Sequence, residues 1–124
     1  MKSSQDPRHI RRAKAIQGLF QYSYTGSANG FDYANEIISQ LEKIDQIISQ
    51  AAPEWPLDKL NRVDLAILRL SVWELLHKDA PEKVIIDEGI ELAKEFGSDN
   101  SSRFINGALG AALQIISDQQ KTPE

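Results

Sequence analysis

Leu57-Asp58-Lys59-Leu60-Asn61-Arg62-Val63-Asp64-Leu65-Ala66-Ile67-Leu68-Arg69-Leu70-Ser71-Val72-Trp73-Glu74-Leu75-Leu76-His77 is the stretch that decides the fold. Its apolar residues do not alternate with polar ones, and the run is too long for a buried strand, so the spacing predicts a helix. Leu60, Val63, Leu65, Ala66, Ile67, Leu68, Leu70, Val72, Trp73, Leu75 and Leu76 leave that helix almost no polar face. A helix that is apolar all round has to be covered all round. The segment therefore reads as a central helix with others packed on both sides. Burying about eight large side chains there contributes roughly 1.5–3 kcal/mol each before chain entropy is subtracted. Arg69 and Glu74 lie inside this segment, where a charge is costly unless paired. Both are expected to meet partner groups within the fold.

Outward from this centre, glycine and proline punctuate the chain. Upstream, Ala52 to Pro56 forms a corner, since Pro53 and Pro56 cannot sit in a helix interior. Before it, Phe31 to Ala51 reads as one helix with Ile37, Ile38, Leu41, Ile44, Ile47 and Ile48 on a wide apolar face. Thr25 to Gly30 breaks the chain again. The first helix spans Arg8 to Tyr24, with Pro7 tolerated at its first turn. Helical spacing puts Ala13, Ile16, Leu19 and Phe20 toward the core, and Arg8, Arg11, Arg12 and Ala15 away from it.

Downstream, Lys78 to Pro81 makes a turn, with Asp79 as cap and Pro81 as the first helical residue. The next helix runs to Phe96, buries Val84, Ile85, Ile86, Ile90, Leu92, Ala93 and Phe96 to varying degrees, and stops at Gly97 as a C′ glycine. Ser98 to Ser101 offers capping groups for a last helix whose core face is Phe104, Ile105, Ala108, Leu109, Ala112, Leu113 and Ile116. Gly107 and Gly110 inside it predict close helix–helix approach. No internal repeat or low-complexity tract is present. The reading is all-α, about five to six helices in one domain over residues 1–124, with loose ends at about 1–7 and 118–124.

With 124 residues, 41% apolar and 26% charged, the chain can build one real core and does not have the composition of a disordered protein. It has no cysteine. That removes disulfides, thiolate metal sites and cysteine nucleophiles, and it fits a reducing compartment. No apolar run reaches the roughly 18 residues of a membrane span, and Met1 to Pro7 is too polar for a signal peptide. A cytoplasmic location is expected. The net charge of −4 conceals an asymmetry. Lys2, Arg8, Arg11, Arg12 and Lys14 face a single acid, Asp6, in the first 14 residues, whereas the remainder is strongly acidic. A cationic arm on an acidic body suits local contact with nucleic acid.

Catalytic chemistry finds little support. His9 and His77 are far apart, with no carboxylate at metal-ligand spacing. The glycines form no phosphate-cradling loop. Glu88, Glu91 and Glu95 share one helix face, which reads as solvated, and Asp87 reads as a cap or surface residue. No catalytic residue, metal or cofactor is expected. Binding chemistry is better supplied. Arg8, Arg11, Arg12 and Lys14 can neutralise backbone phosphates. At the Gly97 corner, Arg103 sits near a helix N-terminus, and Phe96 and Phe104 flank it. Exposed phenyl faces would stack unpaired bases; the same two rings also read as core.

Several motifs together resemble the NusB transcription antitermination family. They are Leu57 to Leu70 continuing to Trp73-Glu74-Leu75-Leu76, then Lys83 to Glu88, Glu91 to Gly97, Ser101 and Phe104-Ile105-Asn106-Gly107. At the N-terminus, Arg11-Arg12-Ala13 and Gln17-Gly18-Leu19-Phe20-Gln21 match the family's arginine-rich opening helix. The resemblance implies an all-α fold of two packed three-helix units around the central helix. It implies binding to single-stranded boxA RNA of ribosomal RNA transcripts, together with the small-subunit ribosomal protein that serves as NusE, within an RNA polymerase antitermination complex. By position it assigns RNA contact to Arg8, Arg11, Arg12, Lys14, Phe96, Asn100, Arg103 and Phe104, and the ribosomal-protein surface to Phe20 and Asp64. A homodimer would also suit such a fold.

Three positions depart from the family pattern. The link from Tyr24 to Phe31 is short, which implies that a short helix of the N-terminal unit is missing. Asn100 stands where the family commonly has aspartate, a change that favours phosphate. Ala108-Leu109-Gly110 replaces the usual valine-leucine-aspartate. Two other readings stay open on these residues. One is a protein-only interaction module, and the other is a detached NusB-like regulatory domain of an RNA methyltransferase.

Overall fold

The computed structural model describes residues 6–121. These form six α-helices and no strand: α1 (Pro7–Thr25), α2 (Asp32–Ile38), α3 (Leu41–Ala51), α4 (Arg62–His77), α5 (Glu82–Phe96) and α6 (Ser101–Gln120), with a 3-10 turn at Leu57–Lys59 before α4. Lys2, part of the expected cationic arm, lies outside the described residues. No described helix is long and apolar enough to cross a membrane.

The central helix is where its composition requires. Every residue from Asp64 to Leu75 is buried, and α4 packs against all five other helices. Asn61 starts it, its side-chain oxygen accepting from the amides of Val63 and Asp64 at 2.9 and 3.1 Å. Lys78 ends it in the left-handed region, at φ 52°. The two internal charges are paired as expected. Arg69 donates through Nε and Nη2 to the two oxygens of Asp45 on α3, each at 3.0 Å. Glu74 is held by α1 and α2. Around α4, the helices α5 and α6 complete one unit; α1 packs on α2, and α3 lies against α4 and α6.

Several local expectations are corrected. The segment 31–51 is two helices, because the chain tightens at Ser39 and Gln40, where the Gln40 amide reaches back only to the Ile37 carbonyl at 3.0 Å. His77 contacts the Gln40 side chain at 2.9 Å across the break. The break lets α2 address α1 while α3 addresses α6. The N-terminal unit thus has three helices despite the short link after α1. On α1, the core side is rotated from the expected one: Ala15 is buried and Phe20 is exposed. Val84 is likewise exposed.

The glycines also differ from expectation. Gly107 and Gly110 are exposed, and a Cβ on either would meet nothing within 4 Å. Close approach occurs instead at Gly18, where a Cβ would lie 2.6 Å from Ala34 Cβ, and at Gly89, where it would lie 2.8 Å from Leu109 Cδ1. Gly97 has extended backbone, φ −94° and ψ −170°, so it is not a left-handed cap. It is small because Ser101 fills the space, with Oγ 2.5 Å from where a Cβ would be. Asp79 does not cap α5, which begins at Glu82 with no side-chain cap. Finally, α6 continues to Gln120, into the stretch from about 118 expected to be loose.

Candidate nucleic-acid interface

The arm is built on the first two turns of α1. Asp6 caps the helix, accepting from the Arg8 amide at 2.9 Å, and also meets the Arg8 guanidinium at 3.3 Å. Arg8, Arg11 and Lys14 recur every three residues and are all exposed. Arg11 stacks on the Tyr33 ring at 3.7 Å, which fixes its guanidinium while leaving about half of the side chain in solvent. Arg11 borders two adjoining depressions. One, about 320 Å³, is shared with Asp6, Arg8 and Asp79, and the other, about 300 Å³, with Lys14, Gly30 and Phe31.

Arg12 does not belong to this row. A position one residue past Arg11 is turned about a quarter of the way round the helix, and the side chain is only 6% exposed. Its Nε lies 3.0 Å from both oxygens of Glu74, and Nη1 lies 3.8 Å from Glu88. Tyr33 donates its hydroxyl to the same Glu74 carboxylate at 2.7 Å. Burial acts to lower the Arg12 pKa, but the bonds and charge of Glu74, with Glu88 behind, hold it above its ordinary value. Burial, reinforced by Glu74, pushes the Tyr33 phenol up. Arg12 is thus a structural cation, and its expected place on the solvent-facing stripe with Arg8 and Arg11 is corrected.

His9 and Glu88 form a second feature that sequence reasoning missed. His9 Nδ1 lies 2.8 Å from Glu88 Oε2, and Nε2 lies 2.9 Å from Glu95 Oε1. Only an imidazolium can donate through both nitrogens. The Glu88 hydrogen bond raises the His9 pKa, burial opposes it, and Glu95 adds to the rise. Glu88 is only 1% exposed, so the face expected to be solvated is partly interior. Among the described residues no group of three His, Cys, Asp or Glu side chains is arranged to hold a metal. The consequence is positional: the first turn of α1 is tied to the last turn of α5, one residue before Phe96.

Phe96 is 40% exposed and Phe104 is half-buried. Between them the chain turns at Gly97 to Asn100, where the Ser98 amide donates to Ser101 Oγ at 2.9 Å. Asn100 occupies the N-cap position of α6 without capping through its side chain, and its side chain is exposed beside Arg103. Phe104 and Asn100 border a cleft of about 330 Å³ with Trp55, Lys59, Asn61 and Asp64. Trp55, noted in the sequence only as part of a corner, is 49% exposed.

Phe20 and Asp64 sit in different company. Phe20 packs edge-on against exposed Tyr24 at 5.1 Å, and Arg62 lies over the Tyr24 ring at 4.2 Å while donating to the Ser23 carbonyl. Asp64 is 7% exposed and opens toward the Phe104 cleft. Burial pushes its carboxyl up, and a hydrogen bond from Ser101 pulls the other way.

Comparison with known proteins follows the same lines. Residues 30–114 match the NusB family model. Two proteins named transcription antitermination protein NusB align over 86% of this chain. The one from Chloroflexus aggregans is 52% identical with 86% of its own length covered, and the one from Herpetosiphon aurantiacus is 37% identical with 89% covered. The solved structure of Thermotoga maritima NusB superposes with a TM-score of 0.76 at 32% identity, covering 92% of this chain and 93% of that one. The central helix, the paired arm and the α5–α6 corner thus belong to a chain that is a member of the NusB family.

Proposed function

We propose that this chain is an RNA-binding transcription antitermination factor that takes boxA-type single-stranded RNA from ribosomal RNA leader transcripts. It does so together with a small-subunit ribosomal protein in the NusE role, as part of an RNA polymerase antitermination complex. The relatives' shared name supplies the process, and theirs is a family of antitermination proteins rather than of enzymes. The observation that carries the RNA reading is the 2.9 Å contact between His9 and Glu95. It ties the first turn of α1, which also carries exposed Arg8, to the last turn of α5 next to Phe96, an arrangement that supports one flexible strand lying on charge and ring together. Arg8, Arg11 and Lys14 would hold phosphates; Phe96 and Phe104 would stack bases; Asn100 and Arg103 would line the path. The exposed Phe20–Tyr24 pair with Arg62 has the aromatic and arginine character of a protein-partner surface.

The test is binding of a boxA-containing single strand at two salt concentrations, with and without the ribosomal protein. The Arg8→Ala/Arg11→Ala variant is expected to bind more weakly, with a log–log salt slope lower by about 1.4, at roughly 0.7 per lost phosphate contact on single strands. Unchanged affinity and slope would contradict the reading. Binding of the ribosomal protein alone, with no RNA binding under either condition, would leave only a protein interaction module.

A further inference from the structure

Asp64 presents an unusual combination. The residue is 93% withdrawn from solvent, and although Ser101 acts on the carboxylate, its Oδ1 has no hydrogen-bond partner. A buried carboxylate oxygen without a donor is costly and rarely left so unless something completes it. Asp64 lines the cleft of about 330 Å³ that Trp55, Asn61, Asn100 and Phe104 also line, a volume within the range of small-molecule sites. Trp55 and Phe104 are both partly exposed at its edge, and Lys59 sits on the same rim, exposed. The cleft is therefore bordered by two aromatic rings, a cation and a buried carboxylate with one oxygen that lacks a donor.

We infer that this cleft is a base-reading pocket in which one unpaired nucleobase bearing an exocyclic amino group lies against Trp55 and Phe104 and donates to Asp64 Oδ1. The inference rests on the RNA reading above and deepens it: Arg8 and Arg11 hold the strand without regard to sequence, whereas Asp64 selects the base. Cytosine, adenine and guanine each present an amino donor. Uracil offers only its N3–H, flanked by two carbonyl oxygens that a carboxylate repels. The same burial that pushes the Asp64 carboxyl up also strengthens a hydrogen bond made there, because little water competes.

Equal-length oligo-C, oligo-A and oligo-U strands, titrated into the full chain at one salt concentration, test the assignment. The wild-type chain is expected to bind oligo-C and oligo-A about tenfold more tightly than oligo-U. Asp64→Asn, isosteric but able both to donate and to accept, is expected to bring the three strands within about twofold of one another. Trp55→Ala, at a position 49% exposed, with its fold checked by thermal melt, is expected to weaken all three by about tenfold through lost stacking. Equal binding of the three strands by the wild type would overturn the inference, as would a base preference that survives Asp64→Asn. So would an Asp64→Asn variant that loses only the ribosomal protein. The Arg8→Ala/Arg11→Ala variant separates the two levels. If it weakens all three strands alike while Asp64→Asn changes no preference, the RNA reading stands and the pocket alone falls. If it weakens none, the RNA reading itself fails.

Discussion

Arg12 and Glu74, 62 positions apart, form the buried ion pair that joins the first helix to the central one, with Arg12 Nε at 3.0 Å from each carboxylate oxygen. Tyr33 adds a third member from α2, so three helices meet at one carboxylate. Arg12→Ala would strand Glu74 in the interior and is expected to destabilise the fold by about 3–5 kcal/mol. Arg11→Ala, at an exposed site, is expected to cost about 0.5 kcal/mol or less. Denaturant titration of both variants checks this. Equal stabilities would show that the buried pair does not hold the fold.

His9 makes stability depend on pH. Its folded-state pKa lies above its unfolded value, because both ring nitrogens face carboxylates. The contribution is therefore complete below the unfolded value of about 6.5 and is lost as pH rises through the raised folded value. Thermal melts from mildly acidic to alkaline pH should show a fall in Tm in that window, and His9→Gln should remove that part of the dependence. A profile identical in wild type and variant would contradict the staple between α1 and α5.

The glycines should separate by position. Gly18→Ala forces a Cβ to within 2.6 Å of Ala34 Cβ, an overpacking expected to cost about 1–3 kcal/mol. Gly110→Ala meets nothing within 4 Å on the exposed side of α6, and better helix propensity is expected to stabilise it by about 0.5–1 kcal/mol. Opposite signs in one denaturation series are the expected result.

Phe20→Ala should separate partner binding from folding and from RNA. Phe20 is 36% exposed, with its ring edge-on to Tyr24, so truncation should lower Tm by a few degrees and leave the chain folded. Affinity for the ribosomal protein is expected to fall about tenfold or more, as for an aromatic anchor. Calorimetric titration with that protein reads the change directly, and an unchanged Kd would place the partner elsewhere.

These features show what a single sequence reveals and where it stops. The central helix was legible because Leu65 to Leu75 leaves no side for water, a property that needs no partner to recognise. The pairing of Arg69 and Glu74 followed from the cost of burying charge, although Asp45, Arg12 and Tyr33 could not be named. Arg12 was misread because charge alone cannot distinguish a cation turned to solvent from one turned to a buried acid on another helix. Glu88 was misread for the complementary reason. The break at Ser39 and Gln40 carries no glycine or proline; it arises from two different packing partners for α2 and α3, which is tertiary information. Of the candidate site, Arg8, Arg11, Lys14 and Arg103 could be placed at an accessible surface from local pattern, whereas Phe96 read equally as core and is 40% exposed. The cleft joining Trp55, Asp64 and Phe104 could not, since its walls come from segments far apart in the chain.

The claim that a single strand touches both the arm and the corner is tested most directly by photo-crosslinking. A boxA-containing strand with 4-thiouridine at each position in turn, bound one to one, would be crosslinked and mapped by mass spectrometry. The account predicts adducts in Arg8–Lys14 and in Phe96–Phe104 from different positions of the same strand. Adducts confined to one of the two regions, with the other untouched by every position, would contradict it.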